Sequence, residues 1–275
     1  MCGRASVVSS LETYEKCFNA AFAKAEQFTE NVNIGVGQNI PVITNRNPNH
    51  IQMFQLGFTP SWAHKQTYML NARAEGSLNP ENKPNYRGRL GIFNKPMFKK
   101  AIQSQRCLIL VDGVIEGTRY EKLNKPSLVY NNQKSDPFAI GGIYDEWVNP
   151  LTNEVTRSVA IVTTAANDLM HKIDHHRAPV ILSKKQEEIW LDDTASLQDL
   201  CKLMRPFKST GFNAHPISQK IKNIKNRSLE LLAPTGDSIY QDFGRNIYNR
   251  LKYSNPQLGI INEQRFTAGD QFALF

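Results

Sequence analysis

No run of about 18 apolar residues occurs anywhere in the chain, so no segment is expected to cross a membrane as a helix. The opening residues, Met1-Cys2-Gly3-Arg4-Ala5-Ser6, lack a charged stretch leading into an apolar one, which excludes a secretory signal of the usual kind. Cysteine is scarce. The four present, Cys2, Cys17, Cys107 and Cys201, include no Cys-x-x-Cys pair. Neither a zinc ribbon nor a disulfide scaffold is expected, and a reducing cytoplasm fits. No Walker-type phosphate loop is found, and Gly35-Val36-Gly37 is too short for a dinucleotide loop. No repeat of fixed period appears. Acidic residues are the scarcer charge, 25 Asp and Glu against 33 Lys and Arg, a formal net charge of +8.

That excess favours an acidic partner, nucleic acid first and an anionic membrane surface second. A solvated basic surface without a partner would give the same count. The 275 residues, 40% hydrophobic, suffice for one sizeable core or two small ones. Residues 11–28 predict an amphipathic helix, with Leu11, Tyr14, Phe18, Ala21, Phe22, Ala25 and Phe28 at three- and four-residue spacing and Ser9 or Ser10 as its cap. Short apolar runs at 51–58, 106–116, 127–130, 138–148, 157–163 and 179–182 predict strands. Ser183-Lys184-Lys185-Gln186 has capping-box spacing and opens a second helix. Another is expected at 195–205. The polar, Pro- and Asn-rich stretch 76–96 predicts a long surface loop. Residues 235–275 predict an extension packed on the domain. Strands joined by short turns, with few and unevenly placed helices, argue for an α+β fold.

Position 2 carries the strongest chemical signal. Removal of Met1 would leave Cys2 with a free α-amine beside its thiol. The α-amine has a reference pKa of about 7.7–8.0, so part of it is neutral near pH 7. A neutral amine condenses with an aldehyde to an imine, and the neighbouring thiol can then close a five-membered thiazolidine. Closure within one molecule gains from a high effective concentration. By itself, however, a cysteine is most often a small buried hydrophobe.

Four further segments supply context. They are Leu56-Gly57-Phe58-Thr59-Pro60-Ser61-Trp62, Asn71-Ala72-Arg73-Ala74-Glu75, Arg106 through Glu116, and His175-His176-Arg177-Ala178-Pro179-Val180-Ile181-Leu182. With Met1-Cys2-Gly3-Arg4, they resemble the SOS-response-associated peptidase (SRAP) family in order and rough spacing over residues 1–234. The late stretch from His215-Pro216-Ile217-Ser218 to Asn226, then Ala233-Pro234, also resembles that family's end. Each motif is weak alone, and five in the same order are specific. The resemblance implies a single α+β domain over 1–234 with a β-rich, barrel-like antiparallel core and flanking helices. It also implies binding to single-stranded DNA and a thiazolidine crosslink to abasic sites. In that reading Cys2 is the nucleophile. Asn71 holds the Cys2 amine or the opened sugar, Glu116 moves protons at the amine, and His175 is a general acid or base in sugar-ring opening. Self-removal of Met1 belongs to the same expectation, as do a monomer, a cytoplasmic protein that joins the nucleoid when it acts, and no metal or cofactor.

The chemistry suits these residue types independently. An abasic deoxyribose is mostly a closed hemiacetal, and opening it moves protons, which a histidine can do. Loss of water from the carbinolamine needs an acid, which a glutamic acid can supply. Each residue also has a plainer explanation: Glu116 as a strand-end ion pair, Asn71 as a turn cap. His171 and His175 have metal-ligand spacing on a helix, but no Glu stands between them in the metalloprotease pattern and Arg177 follows closely. For DNA, Arg4, Arg73 and Arg177 lie inside the reactive motifs and are expected to hold phosphates beside the lesion. Trp62 can stack on a base or end a strand in the core. Lys99 and Lys100 can extend the basic track.

The sequence departs from the family pattern at several places. Gly117 stands where a Trp is usual, Val114-Ile115 where aromatics are, Leu110-Val111 where a Pro-Ala pair is, and Ala178 where a Met is. Residues 33–38 replace a more usual Pro-Thr, and 76–96 resembles an insertion. These changes bear on the shape of a DNA groove more than on the reactive quartet. Two rival functions remain. Amidotransferases that begin Met-Cys-Gly use the Cys amine as base for its own thiol, but the Asn-Ala-Arg and His-His-Arg-Ala-Pro segments would then have no role. A DNA-binding module that never reacts predicts salt-sensitive binding indifferent to abasic sites.

Overall fold

Short β-branched runs separated by turns leave little room for long helices, and the chain folds accordingly. A computed structural model describes residues 2–132 and 136–241. The chain opens with β1 (Ala5–Val7), α1 (Leu11–Phe18), β2 (Ala21–Phe22), β3 (Asn31–Ile34), β4 (Asn39–Thr44), β5 (Asn47–Leu56) and β6 (Asn71–Arg73). Then come α2 (Lys99–Ser104), β7 (Arg106–Val111), β8 (Gly113–Thr118), β9 (Lys122–Asn131), β10 (Phe138–Val148) and β11 (Val155–Ala165). The last are α3 (Asp168–Lys172), β12 (Arg177–Pro179), β13 (Ile181–Leu182), α4 (Lys184–Leu191), α5 (Leu197–Leu203) and β14 (Phe212–Pro216). The α+β fold expected from sequence is the observed one.

The barrel is there as well, with one difference. Pairing is antiparallel from β5 through β4, β7 and β10 to β11. The ring then closes in parallel, Ser158 against Gln55 and Val159 against Leu56. Its strands are apolar along most of their length. Ile40, Val42, Ile51, Leu56, Ile109, Ile140 and Val159 are all fully buried. A second sheet runs β14-β9-β8-β1-β3. The two sheets meet at Asp112, between β7 and β8. Its carboxylate accepts from the Val8 and Ser9 amides at 2.7 and 2.9 Å and from the Tyr14 hydroxyl at 2.7 Å, and also bonds the Ser9 hydroxyl. This corner ties the N-terminal arm to the barrel.

Three expectations change. The helix expected over 11–28 stops at Phe18, because Asn19 takes the left-handed conformation (φ 49°, ψ 45°) that ends helices. Ala21–Phe22 then adds to the barrel edge beside His50 and Ile51. The aromatic spacing still serves packing: Phe22 and Phe28 rings lie 4.8 Å apart. The run 106–116 splits in two at Asp112. The loop 76–96 is only partly superficial, since Asn79, Leu90 and Ile92 are buried. The capping box at Ser183 and Gln186 forms as expected. Of the C-terminal extension, residues 235–241 are described. The Thr235 and Ile239 amides donate to the Pro216 and Ala214 carbonyls at 2.9 and 2.8 Å. The expectation for 242–275 lies outside the described residues. Among the described residues, no helix is long and apolar enough to cross a membrane.

Candidate active site

The N-terminal arm is not a loose end. β1 lies between β3 and β8, with Ala5 opposite both Ile34 and Val114. The Ile115 amide donates to the Arg4 carbonyl at 2.9 Å, which extends the pairing toward Cys2 and lays it alongside Glu116. Cys2 is 1% exposed. Asn71, at the head of β6, donates from Nδ2 to the Cys2 carbonyl at 2.8 Å. Its Oδ1 is buried with no hydrogen-bond partner, a free acceptor beside the arm.

His175 arrives from the other side of the chain. The turn after α3 places Asp174 in the left-handed region (φ 54°), and the His175 amide bonds back to the Met170 carbonyl at 2.8 Å. Its ring Nδ1 lies 2.6 Å from the Gly117 carbonyl, an acceptor, so Nδ1 carries the proton. That leaves Nε2 facing Glu116, 3.4 Å from Oε2. Neither Glu116 oxygen nor His175 Nε2 has a hydrogen-bond partner, although both side chains are nearly wholly buried. One ligating atom each of Cys2, Glu116 and His175 lie within 4.8 Å of one another. A buried polar atom without a partner is costly, so three together mark a site built for something besides stability. Burial, reinforced by the neighbouring Glu116, pushes the Cys2 thiol well above its usual range, while Arg177 acts in the opposite direction. The sulfur is therefore a thiol, not a thiolate, near pH 7. His176, whose ring centroid lies 5.2 Å from that of His175, is pushed down to about 4 by burial and then by His175, Arg119 and Arg177. It is neutral near pH 7.

The four residues expected to react thus converge. Those expected to hold DNA do not share one environment. Arg177 is 5% exposed. Its guanidinium donates to Glu75 Oε2 at 2.9 Å, to the Thr163 carbonyl at 2.8 Å and to Asn82 Oδ1 at 3.1 Å. It fastens β12 to the barrel and presents little to solvent. Arg4 donates to Asn33 Oδ1 at 2.6 Å and to the Ile221 and Lys222 carbonyls at 3.2 and 3.0 Å. Arg73 bonds the Asn79 carbonyl and keeps a third of its side chain exposed. Trp62 is 57% exposed and is not a core residue. Lys99 and Lys100 are exposed on α2. His171, exposed on α3, does not join His175 on one helix face.

Residues that sequence reasoning passed over also line the site. A cavity of about 370 Å3 opens beside His175, bordered by Gly3, Arg4, Leu70, Arg119, Lys122 and His176. Arg119 and Lys122 flank the β8–β9 turn, and their closeness to His175 follows from pairing that has no local signal. The Arg119 amide donates to the Asp174 carbonyl at 2.7 Å. Gly117 is needed there. A Cβ at 117 would overlap the backbone of Lys122, so no side chain fits where the family usually has Trp. A larger cavity, about 760 Å3 around Pro84, Phe207 and Phe212, contains none of the quartet. Converging polar groups, not volume, single out the candidate site.

The family model for SOS response associated peptidase (SRAP) matches residues 1–224. The chain belongs to the SRAP family. Among curated relatives, Abasic site processing protein YoqW of Bacillus subtilis is 30% identical over 238 residues, 84% of this chain and 99% of its own length. Abasic site processing protein YedK of Escherichia coli is 24% identical over 207 residues, 74% of this chain and 83% of the relative. Abasic site processing protein HMCES of Xenopus tropicalis is 26% identical over 52% of this chain and 47% of its own length. The fold also resembles a crystal structure of a protein from Bacteroides thetaiotaomicron, with a TM-score of 0.72, 24% identity and coverage of 86% and 100%.

Proposed function

We propose that this SRAP protein binds single-stranded DNA and captures abasic sites covalently, through a thiazolidine formed by Cys2 after Met1 is removed. The observation that carries the reading is the buried meeting of Cys2, Glu116 and His175 with their polar atoms unpartnered. Names of relatives support the substrate class.

The placement of these side chains supports the following steps. The open-chain sugar presents an aldehyde, and His175 Nε2 is the proton carrier that helps the closed ring open. The neutral Cys2 amine adds to the aldehyde carbon and gives a carbinolamine. Glu116 delivers the proton with which the hydroxyl leaves as water, and its carboxylate then takes the nitrogen proton of the resulting iminium to give the imine. The thiol then adds to the imine carbon, its proton passes to nitrogen, and the thiazolidine closes. Asn71, already bound to the Cys2 carbonyl, fixes the arm and offers Oδ1 to the amine. A thiol kept protonated until this last step suits the order, since the amine must react first. Arg119, Lys122 and the exposed edge of Arg73 are better placed for phosphates than Arg177. Trp62 offers an exposed stacking face. Removal of Met1 by the protein itself belongs to the same proposal. In that case the unit that reacts with DNA is first its own substrate.

The test is a denaturing gel of protein mixed with single-stranded DNA bearing one abasic site. Wild type gives a heat-resistant adduct, and Cys2→Ala gives none. An undiminished, equally stable adduct in Cys2→Ala overturns the proposal. So does a reactive chain that mass spectrometry shows still carrying Met1, because its Cys2 nitrogen is an amide. Glutaminase activity in the absence of DNA would favour the amidotransferase alternative.

A further inference from the structure

We propose that the processed N-terminus is also a binding site for a soft divalent cation, Zn2+ in particular, built from the Cys2 thiolate, the Cys2 amine, Glu116 and His175. This goes beyond the proposed DNA chemistry and shares with it only the loss of Met1. The sequence alone gave no reason to expect a metal, because these donors are scattered over 173 residues and no two show ligand spacing.

The donor set fits the ion. Zinc takes four ligands, from sulfur, imidazole nitrogen and carboxylate oxygen, in a tetrahedron. Sγ of Cys2, Nε2 of His175 and a Glu116 oxygen lie within 4.8 Å of one another, and the last two are 3.4 Å apart. In a tetrahedral zinc site such atoms sit about 3.3–3.6 Å apart, so side-chain closure of roughly 1 Å completes the set. Once Met1 is gone, the Cys2 amine and sulfur form a five-membered chelate ring, which supplies the fourth donor at high effective concentration. The orientation is already correct. The Gly117 carbonyl takes the Nδ1 proton of His175, a second partner of the sort that fixes a metal-binding imidazole. Nε2 and both Glu116 oxygens then face inward with nothing bonded to them. The nearby positive charge, Arg177, is matched by Glu75 at 2.9 Å, and Arg4 is turned toward Asn33.

Binding is a proton exchange: the cation takes the sulfur and the amine lone pair, and the thiol proton, with any ammonium proton, passes to solvent. The bound form cannot attack an aldehyde, because both reacting atoms are coordinated. Zinc would therefore act as a reversible cap that keeps the aminothiol from stray aldehydes until DNA and a competing chelator free it.

The test uses the full chain with Cys2 confirmed as first residue by mass spectrometry. Co2+ titration is followed by the thiolate-to-cobalt band in the near ultraviolet and the tetrahedral d–d bands in the visible. One equivalent should give both, Zn2+ should bleach them, and Cys2→Ser should lack the thiolate band. A chain retaining Met1 should bind at least about tenfold more weakly, having lost the chelate ring. Zn2+ at about ten times its Kd should slow crosslinking about tenfold, because some nine-tenths of the sites are occupied, and EDTA should restore it. Absence of a thiolate band, or an unchanged band in Cys2→Ser, overturns the inference. Crosslinking in EDTA with no cobalt band sinks the metal site alone. A cobalt band without crosslinking sinks the proposed DNA chemistry alone.

Discussion

Glu75 and Glu116 are both buried carboxylates, 2% and 1% exposed, in opposite surroundings. Glu75 is fully engaged. Oε1 accepts from the Thr164 hydroxyl at 3.1 Å and the Ala165 amide at 2.9 Å, and Oε2 accepts from Arg177 at 2.9 Å. Glu116 is as deeply buried, but neither oxygen has a hydrogen-bond partner, and its near neighbours are the His175 ring at 3.4 Å and the Cys2 thiol. Both lie in segments that resemble SRAP motifs, so the motif does not separate their duties. Partner accounting does. One carboxylate holds β6, β11 and β12 together, and the other is left without a hydrogen-bond partner, as the proposed chemistry requires.

The largest effect should come from breaking the engaged cluster. Glu75→Ala strands the Arg177 charge and should cost about 3–5 kcal/mol, read as a fall of roughly 10 °C or more in Tm. A loss under about 1 kcal/mol would mean that the ion pair is not structural. Glu116→Gln should do the reverse. Stability should change by less than about 1 kcal/mol, since Gln keeps the side-chain volume and neither Glu116 oxygen has a hydrogen bond to lose, while crosslinking slows about a hundredfold or more. Equal losses of stability in the two variants would erase the contrast.

Acid sharpens the comparison further. Burial raises the Glu75 carboxyl, but Arg177, through its hydrogen bond and its charge, outweighs that and leaves it below the usual range. A depressed folded pKa contributes stability that is present above the unfolded value and lost as pH falls through the folded one. The stability gap between wild type and Glu75→Gln should therefore hold constant above about pH 5 and narrow on acidification below about 4.3, where an unfolded Glu titrates. Denaturant melts at stepped pH check this. A gap that widens on acidification contradicts the assignment. The smallest effect belongs outside both clusters. Trp62→Ala should leave Tm within error and weaken single-stranded DNA binding by about 1–3 kcal/mol, read by fluorescence anisotropy. Unchanged affinity would remove Trp62 from the DNA surface.

Legibility in the sequence tracked locality. Ser183 and Gln186 are three residues apart and formed their box, and the run 138–148 became β10 with those bounds. Asn19 ended a helix whose aromatic period continues past it, because a left-handed residue and a free barrel edge outweighed the pattern. The parallel seam from Gln55 to Ser158 had no local sign at all. The candidate quartet was reachable only through the resemblance, since spacing does not bring residues 2, 71, 116 and 175 together. Arg177 illustrates the limit. It stands inside one of the motifs that resemble the family, and only its partner Glu75, 102 residues away, shows that its guanidinium is engaged within the fold.

The order of these residues along the chain also sets a clock. Cys2 leaves the ribosome well before Glu116 and His175. At about 5–20 residues per second, the interval from Cys2 to His175 is roughly 10–35 s. The barrel that buries the arm cannot close before β11 is made, because its seam needs Ser158 and Val159. During each round of synthesis the amine and thiol, if Met1 is trimmed early, meet small aldehydes with no pocket around them. Under the proposed chemistry, trimming that waits for the finished fold would avoid this exposure.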